Sequence, residues 1–234
     1  MIPFGPWHPD KASVNAQISV TARNCVPATA GFAPLKAPAP ATLALASPCL
    51  GAGVVLSEGG NAVTFAGAAD KLYRLGVNGV WSDVSRVTGG AYHASSSERW
   101  QFAFSGGLVV ALNSLDDPQK YVIGTSTAFA ALGGSPPRAR YVTTVRDFVV
   151  LGGIFGAERE IAWSGLAQPE FWTPGTQSCD TQTFQNGGPV RGIVGGEVGY
   201  VFQAETVRRM TFVPGGDLIF QFDEVEGGRG LAAP

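Results

Sequence analysis

The sequence predicts an all-β, antiparallel fold built as a propeller-like repeat of about four blade units, preceded by an extended Pro-rich N-terminal arm. Three observations carry this expectation. Apolar runs recur around the anchors Val63, Leu108, Phe148 and Tyr200, and closing aromatics recur at Trp81, Phe129, Trp172 and Phe220, both at a loose period of roughly 40–50 residues. Helical signals are nearly absent: windows with i, i+3, i+4, i+7 apolar spacing are interrupted by Gly or Pro. Gly accounts for 32 of 234 residues and charged residues for only 15%, roughly twice the usual share of Gly and well below the usual quarter for charge, as in tightly turned β-proteins.

The units, with cores at Val63–Val84, Leu108–Leu132, Phe148–Trp172 and Tyr200–Phe222, divide into short strands. In the first, Asn61–Gly67 and Lys71–Gly76 are β-rich, and Gly79–Val84 follows an Asn78–Gly79 turn, a strong hairpin dipeptide. In the second, Trp100–Phe104 and Leu108–Leu112 flank Ser105–Gly106–Gly107, and Tyr121–Ile123 and Ala128–Leu132 follow an Asp116–Asp117–Pro118 turn. The third holds Arg140–Val145 and Phe148–Gly152 around Arg146–Asp147, then Glu160–Ser164 leading to Phe171–Trp172. The last holds Val190–Val194, Gly199–Gln203, Val207–Val213 and Leu218–Asp223, its final pair joined by Pro214–Gly215–Gly216–Asp217. Connections this short make the strands antiparallel.

Residues 1–42 differ. Seven prolines from Pro3 to Pro40 keep the chain extended, with one weak strand at Ala16–Thr21. Phe4, Trp7 and Phe32 are too apolar for a solvated tail, and they are the candidate interface residues of an arm that docks on a neighbouring surface. Residues 43–234 are expected to form the propeller-like β domain.

Chemistry is sparse. Cys25, Cys49 and Cys179 form no C-x-x-C pair, and the chain has only 2 His, so no metal site is expected; reduced thiols are the expectation. There is no P-loop, no G-x-S-x-G elbow and no cofactor motif. Gly187–Gly199 reads as a turn between strands, because no helix follows to supply a dipole. The carboxylate pairs Asp116/Asp117, Glu158/Glu160 and Asp223/Glu224 read as turn or rim residues, and His93 as a loop decoration far from His8. Trp81, Trp100, Trp163 and Trp172 read as repeated core anchors before a sugar platform. The expectation is therefore a protein that is not an enzyme.

The net charge is −2, and Arg138/Arg140 and Arg208/Arg209 are small clusters read as solvated strand-edge charges. Strong electrostatic binding of nucleic acid is not expected, since phosphate binding is driven by Lys and Arg and only 16 are scattered along the chain. Met1–Asp10 lacks the pattern of a secretory signal, and Pro38–Leu56 is broken by Pro and Gly, so no membrane insertion is expected.

Four stretches carry a family resemblance: Lys71–Arg86 (KLYRLGVNGVWSDVSR), Arg138–Gly153 (RARYVTTVRDFVVLGG), Ile161–Gly175 (IAWSGLAQPEFWTPG) and Gly187–Leu231. Together they resemble the propeller-type tail nozzle or head-closure proteins of short-tailed bacteriophages. The resemblance implies a structural virion protein made in the bacterial host cytoplasm. It implies a ring of identical subunits, commonly six, that contacts the adaptor, the portal and other tail proteins and conducts passing DNA. It carries no catalytic residues and no cofactor. Members of that family are usually considerably longer than the 234 residues here, and the chain stops at Gly227–Pro234, where a further unit would begin. The alternative reading is a carbohydrate-binding or carbohydrate-hydrolysing β-propeller.

Overall fold

A computed structural model describes residues 21, 23–28, 31–56, 59–215 and 218–232. The chain divides into two compact units, residues 1–41 and 42–234. The described part of the first unit contains a hairpin, β1 (Cys25–Ala28) with β2 (Gly31–Pro34), closed by a bond from Leu35 N to Asn24 O of 2.9 Å. Phe32 is half-buried on β2. Phe4, Trp7 and the weak strand at Ala16–Thr21, except Thr21 itself, lie outside the described residues.

The second unit contains four antiparallel sheets, each a four-stranded meander in chain order. The first sheet is β3 (Ala52–Leu56), β4 (Ala62–Gly67), β5 (Leu72–Leu75) and β6 (Trp81–Asp83). The second is β7 (Gln101–Ser105), β8 (Leu108–Leu112), β9 (Gln119–Val122) and β10 (Ala130–Ala131). The third is β11 (Ala139–Val145), β12 (Phe148–Ile154), β13 (Ala157–Trp163) and β14 (Asp180–Thr183). The fourth is β15 (Val190–Val194), β16 (Gly199–Gln203), β17 (Val207–Phe212) and β18 (Phe220–Glu224). No helix occurs among the described residues, and the sheets do not close into a barrel. The all-β, antiparallel expectation is borne out.

The anchors Val63, Leu108, Phe148 and Tyr200 all fall on second strands, so each sheet starts one strand earlier than its recurring core suggests. Two closing aromatics need correction. Trp172 lies in the β13–β14 connection, and the sheet is completed by the polar strand β14. Trp81, on β6, is only half-buried and donates its indole N–H to Thr42 Oγ1 at 3.3 Å.

The sheets pack face to face through their first strands, β3 on β7, β7 on β11 and β11 on β15. These strands run in the same direction. Trp100 N, at the start of β7, donates to Leu50 O ahead of β3 at 2.9 Å, and Thr144 Oγ1, late in β11, donates to Phe104 O, late in β7, at 2.8 Å. Three apolar clusters fill the three joints. The first sets Phe65 against Phe102, Tyr121 and Phe129. The second sets Val110 and Leu112 against Val142 and Leu151. The third sets Phe148 and Trp163 against Met210, Phe212 and Phe220.

Burial follows position in the stack. Every residue of β8 and β12 is buried, because the second and third sheets are covered on both faces; such strands read as continuous apolar runs. In the end sheets burial alternates. On β3, Val55 is buried while Ala52, Val54 and Leu56 are exposed; on β16, Val201 is buried while Tyr200 is exposed.

Candidate functional site

Three features of the second unit are candidates: a polar end of the stack, a cleft within it, and the two uncovered end faces. The polar end is where first strands begin and second strands finish. Its side chains come from the linkers between sheets and from the connections between second and third strands.

Asp116 is the hub of the first junction. The sequence suggests a solvated turn acid, but only 4% of its side chain is exposed. Its Oδ2 accepts from His93 N at 2.7 Å and from Asn113 Nδ2 at 3.2 Å, while Oδ1 faces Arg86 Nη2 and His93 Nδ1, each at 3.1 Å. The Arg86 guanidinium also lies over the Tyr92 ring, 4.3 Å from its centre, and donates to Gly90 O and Ala91 O. Burial pushes the Asp116 carboxyl up, but the His93 and Asn113 hydrogen bonds and the Arg86 charge outweigh it and hold it below its ordinary value. Tyr92, whose hydroxyl donates to Gln119 Oε1 at 3.2 Å, is pushed up to about 12 by burial. These bonds tie the linker that leaves the first sheet to the β8–β9 connection of the second. His93, with a 70% exposed side chain, decorates that latch.

The next junction joins the second and third sheets. Arg140, on β11, grips Glu98 with two prongs, Nη2 to Oε1 at 2.7 Å and Nε to Oε2 at 3.2 Å, and Ser114 Oγ also donates to Glu98. Arg138 pairs with Asp117 at 2.7 Å. In the fourth sheet Arg208 donates to Gln203 Oε1 at 2.7 Å and to Asn186 Oδ1, and Arg209 pairs with Asp223 at 3.2 Å. Both arginine clusters of the sequence are thus taken up in ion pairs.

A cleft of about 510 Å³ opens beside the Glu98–Arg140 pair, walled by Ser96, Ser97, Gln101 and Tyr141. Its volume suits a small ligand, and its groups donate and accept hydrogen bonds. Its carboxylate is already neutralised by Arg140, and no His or Cys lines it. Among the described residues no group of three or more His, Cys, Asp or Glu side chains is placed to hold a metal ion. Glu158 is exposed, and Glu160 accepts from Thr183 Oγ1 at 3.1 Å. Trp100, Trp163 and Trp172 are buried, which leaves no aromatic platform among them.

The end faces were not legible in the sequence. The outer face of the first sheet presents Ala52, Val54 and Leu56 from β3 with Ala62 and Thr64 from β4, since register pairs Val54 with Thr64 and Leu56 with Ala62. The outer face of the fourth presents Val194 from β15, Tyr200 and Phe202 from β16, and the Arg209–Asp223 pair. No known protein family and no curated protein matches the chain.

Proposed function

We propose that this protein is a non-catalytic structural component of a virion, part of a phage tail or head-to-tail junction, in which copies form a ring around the DNA channel. The four meanders are read as propeller-like blades. The observation that carries the reading is the stack itself: inner sheets covered on both faces, end sheets each exposing apolar side chains on the outer face. A module of that kind is suited to continue into a neighbour. The cations support it from another side. Lys71, Arg86, Lys120, Arg138, Arg140, Arg146, Arg208 and Arg209, eight of the 16 Lys and Arg residues, are each matched by a carboxylate, which lowers the positive charge available to grip phosphates and stall passing DNA. Phe4, Trp7 and Phe32 are proposed to anchor the N-terminal arm on an adjacent subunit or on the adaptor ring.

Mass spectrometry of purified particles of the encoding phage tests the assignment. The chain should be present in multiple copies and localise to the tail by immunogold labelling. Its absence from particles would remove the virion role. A second reading, a carbohydrate-binding propeller, rests on the polar cleft beside Glu98 and Arg140, and glycan-array binding lost on Gln101→Ala would favour it instead.

A further inference from the structure

The two end faces of the stack differ in the apolar side chains they expose. At the first and third joints of the stack, a glycine of one sheet lies under a larger side chain of its neighbour. Gly53 lies under Phe102, where an added Cβ would come within 2.7 Å of Phe102 Cβ, and Gly199 lies under Val145, with an added Cβ within 2.8 Å of Val145 Cγ2. The exposed part of the outer face of the first sheet is mainly aliphatic: Ala52, Val54 and Leu56 of β3 with Ala62 and Thr64 of β4. The outer face of the fourth carries the projecting rings Tyr200 and Phe202 beside Val194.

Both faces expose apolar side chains, although Ala66 and Tyr73 on the first are buried. Val54 is 65% and Leu56 62% exposed at one end, and Val194 56% and Tyr200 40% exposed at the other. Their charges are internally matched, Lys71 with Asp83 on the first sheet and Arg209 with Asp223 on the fourth, so contact brings no unpaired charge into apolar surroundings. The contact β3–β7–β11–β15 is not continued by a comparable one between β15 and β3 among the described residues, so the chain leaves these faces uncovered by each other.

We propose that the outer face of the fourth sheet docks on the outer face of the first sheet of a second copy of this chain, continuing the sheet-on-sheet packing already made three times within each copy. The two patches are different surfaces, so the interface is head-to-tail. Such an interface generates a ring when its rotation closes. The inference rests on the ring reading above only for the claim that copies assemble.

The test uses the full chain and two single variants, Val54→Asp and Val194→Asp, each placing a charge on one end face. Both sites are exposed, so each variant should keep the circular dichroism of the wild type and unfold in a cooperative transition. By light scattering coupled to size exclusion, the wild type should be multimeric at tens of micromolar, a range typical of weak self-association, and each variant alone monomeric. An equimolar mixture should form a species of twice the monomer mass that grows no further, because each partner supplies the face the other lacks. A monomeric wild type, a variant that still multimerises, or a mixture that stays monomeric would overturn the interface. Particles that contain the protein while these results fail would leave the virion role standing and remove only this contact.

Discussion

Glu98 and Arg140, 42 residues apart, join two sheets through a two-pronged ion pair. Glu98 precedes β7 and Arg140 sits at the start of β11, so the pair fixes the spacing of two first strands at the polar end of the stack. The side chains are 12% and 33% exposed, and the guanidinium fork matches both carboxylate oxygens. Arg140→Lys keeps the charge but loses the fork, and Arg140→Met loses both. Exposed pairs contribute under about 1 kcal/mol and buried ones cost about 3–5 kcal/mol to break, so Arg140→Met should destabilise by about 1–3 kcal/mol and Arg140→Lys by less. Urea unfolding of both variants and of Glu98→Gln checks the order, and a double-mutant cycle without coupling would refute the pairing.

Trp172 and Trp81 occupy equivalent places in the sequence repeat and different places in the structure. Trp172 is 7% exposed and packs in the joint between the second and third sheets, while Trp81 is half-buried at the first sheet. Trp172→Ala should cost about 3–5 kcal/mol, the usual loss for a buried large aromatic. Trp81→Ala should cost well under half of that. Equal losses would mean that the repeat, rather than the local packing, decides.

The contrast shows what the sequence could and could not convey. β8 and β12 were legible because sheets covered on both faces need unbroken apolar runs, and Leu108–Leu112 and Phe148–Leu151 supply them. β14 was not, because Asp180–Thr183 is a polar edge strand recognisable only by its pairing to β13. β3 was hidden by Gly51 and Gly53, which weaken the strand signal; Gly53 is there because Phe102 occupies the space over it. The Asp116 latch escaped for a different reason. Asp-Asp-Pro is turn chemistry, and what buries Asp116 is Arg86, 30 residues earlier. Local pattern carries no record of such a partner.

Gly67 tests the tightness of the first joint. A Cβ there would overlap the Trp100 indole, whose N–H is held by Ala68 O at 2.8 Å and whose ring is packed edge-on by Tyr92. The ring therefore has little room to retreat. Gly67→Ala should destabilise by about 1–3 kcal/mol, the range for overpacking a well-filled core. An unchanged denaturation midpoint would mean that the joint is slack.

The thiols should separate by reactivity. Burial, with help from Asp180, pushes the Cys179 thiol up to about 11, while Cys49 is exposed and Cys25 half-buried. Attack requires the thiolate. At neutral pH a disulfide reagent should therefore modify two thiols in the folded protein and the third only after denaturant is added. Rapid reaction of all three would contradict the burial of Cys179.

Acid should loosen the latch around Asp116. Its native carboxyl lies below its ordinary value of 3.8 despite burial, because the charged form is held by His93, Asn113 and Arg86. A group with a depressed native value stabilises the fold fully above its unfolded value and loses that contribution as pH falls through the native one. The Asp116 contribution should therefore be intact at pH 6 and decline below about pH 4, where an unfolded Asp takes up its proton. Asp116→Asn removes the charge at every pH and presents an amide to the His93 N–H. Thermal midpoints of the two proteins should differ most at neutral pH and converge as pH falls toward 3. A gap that stays constant across that range would show that the carboxylate charge contributes nothing to holding the linker against the second sheet.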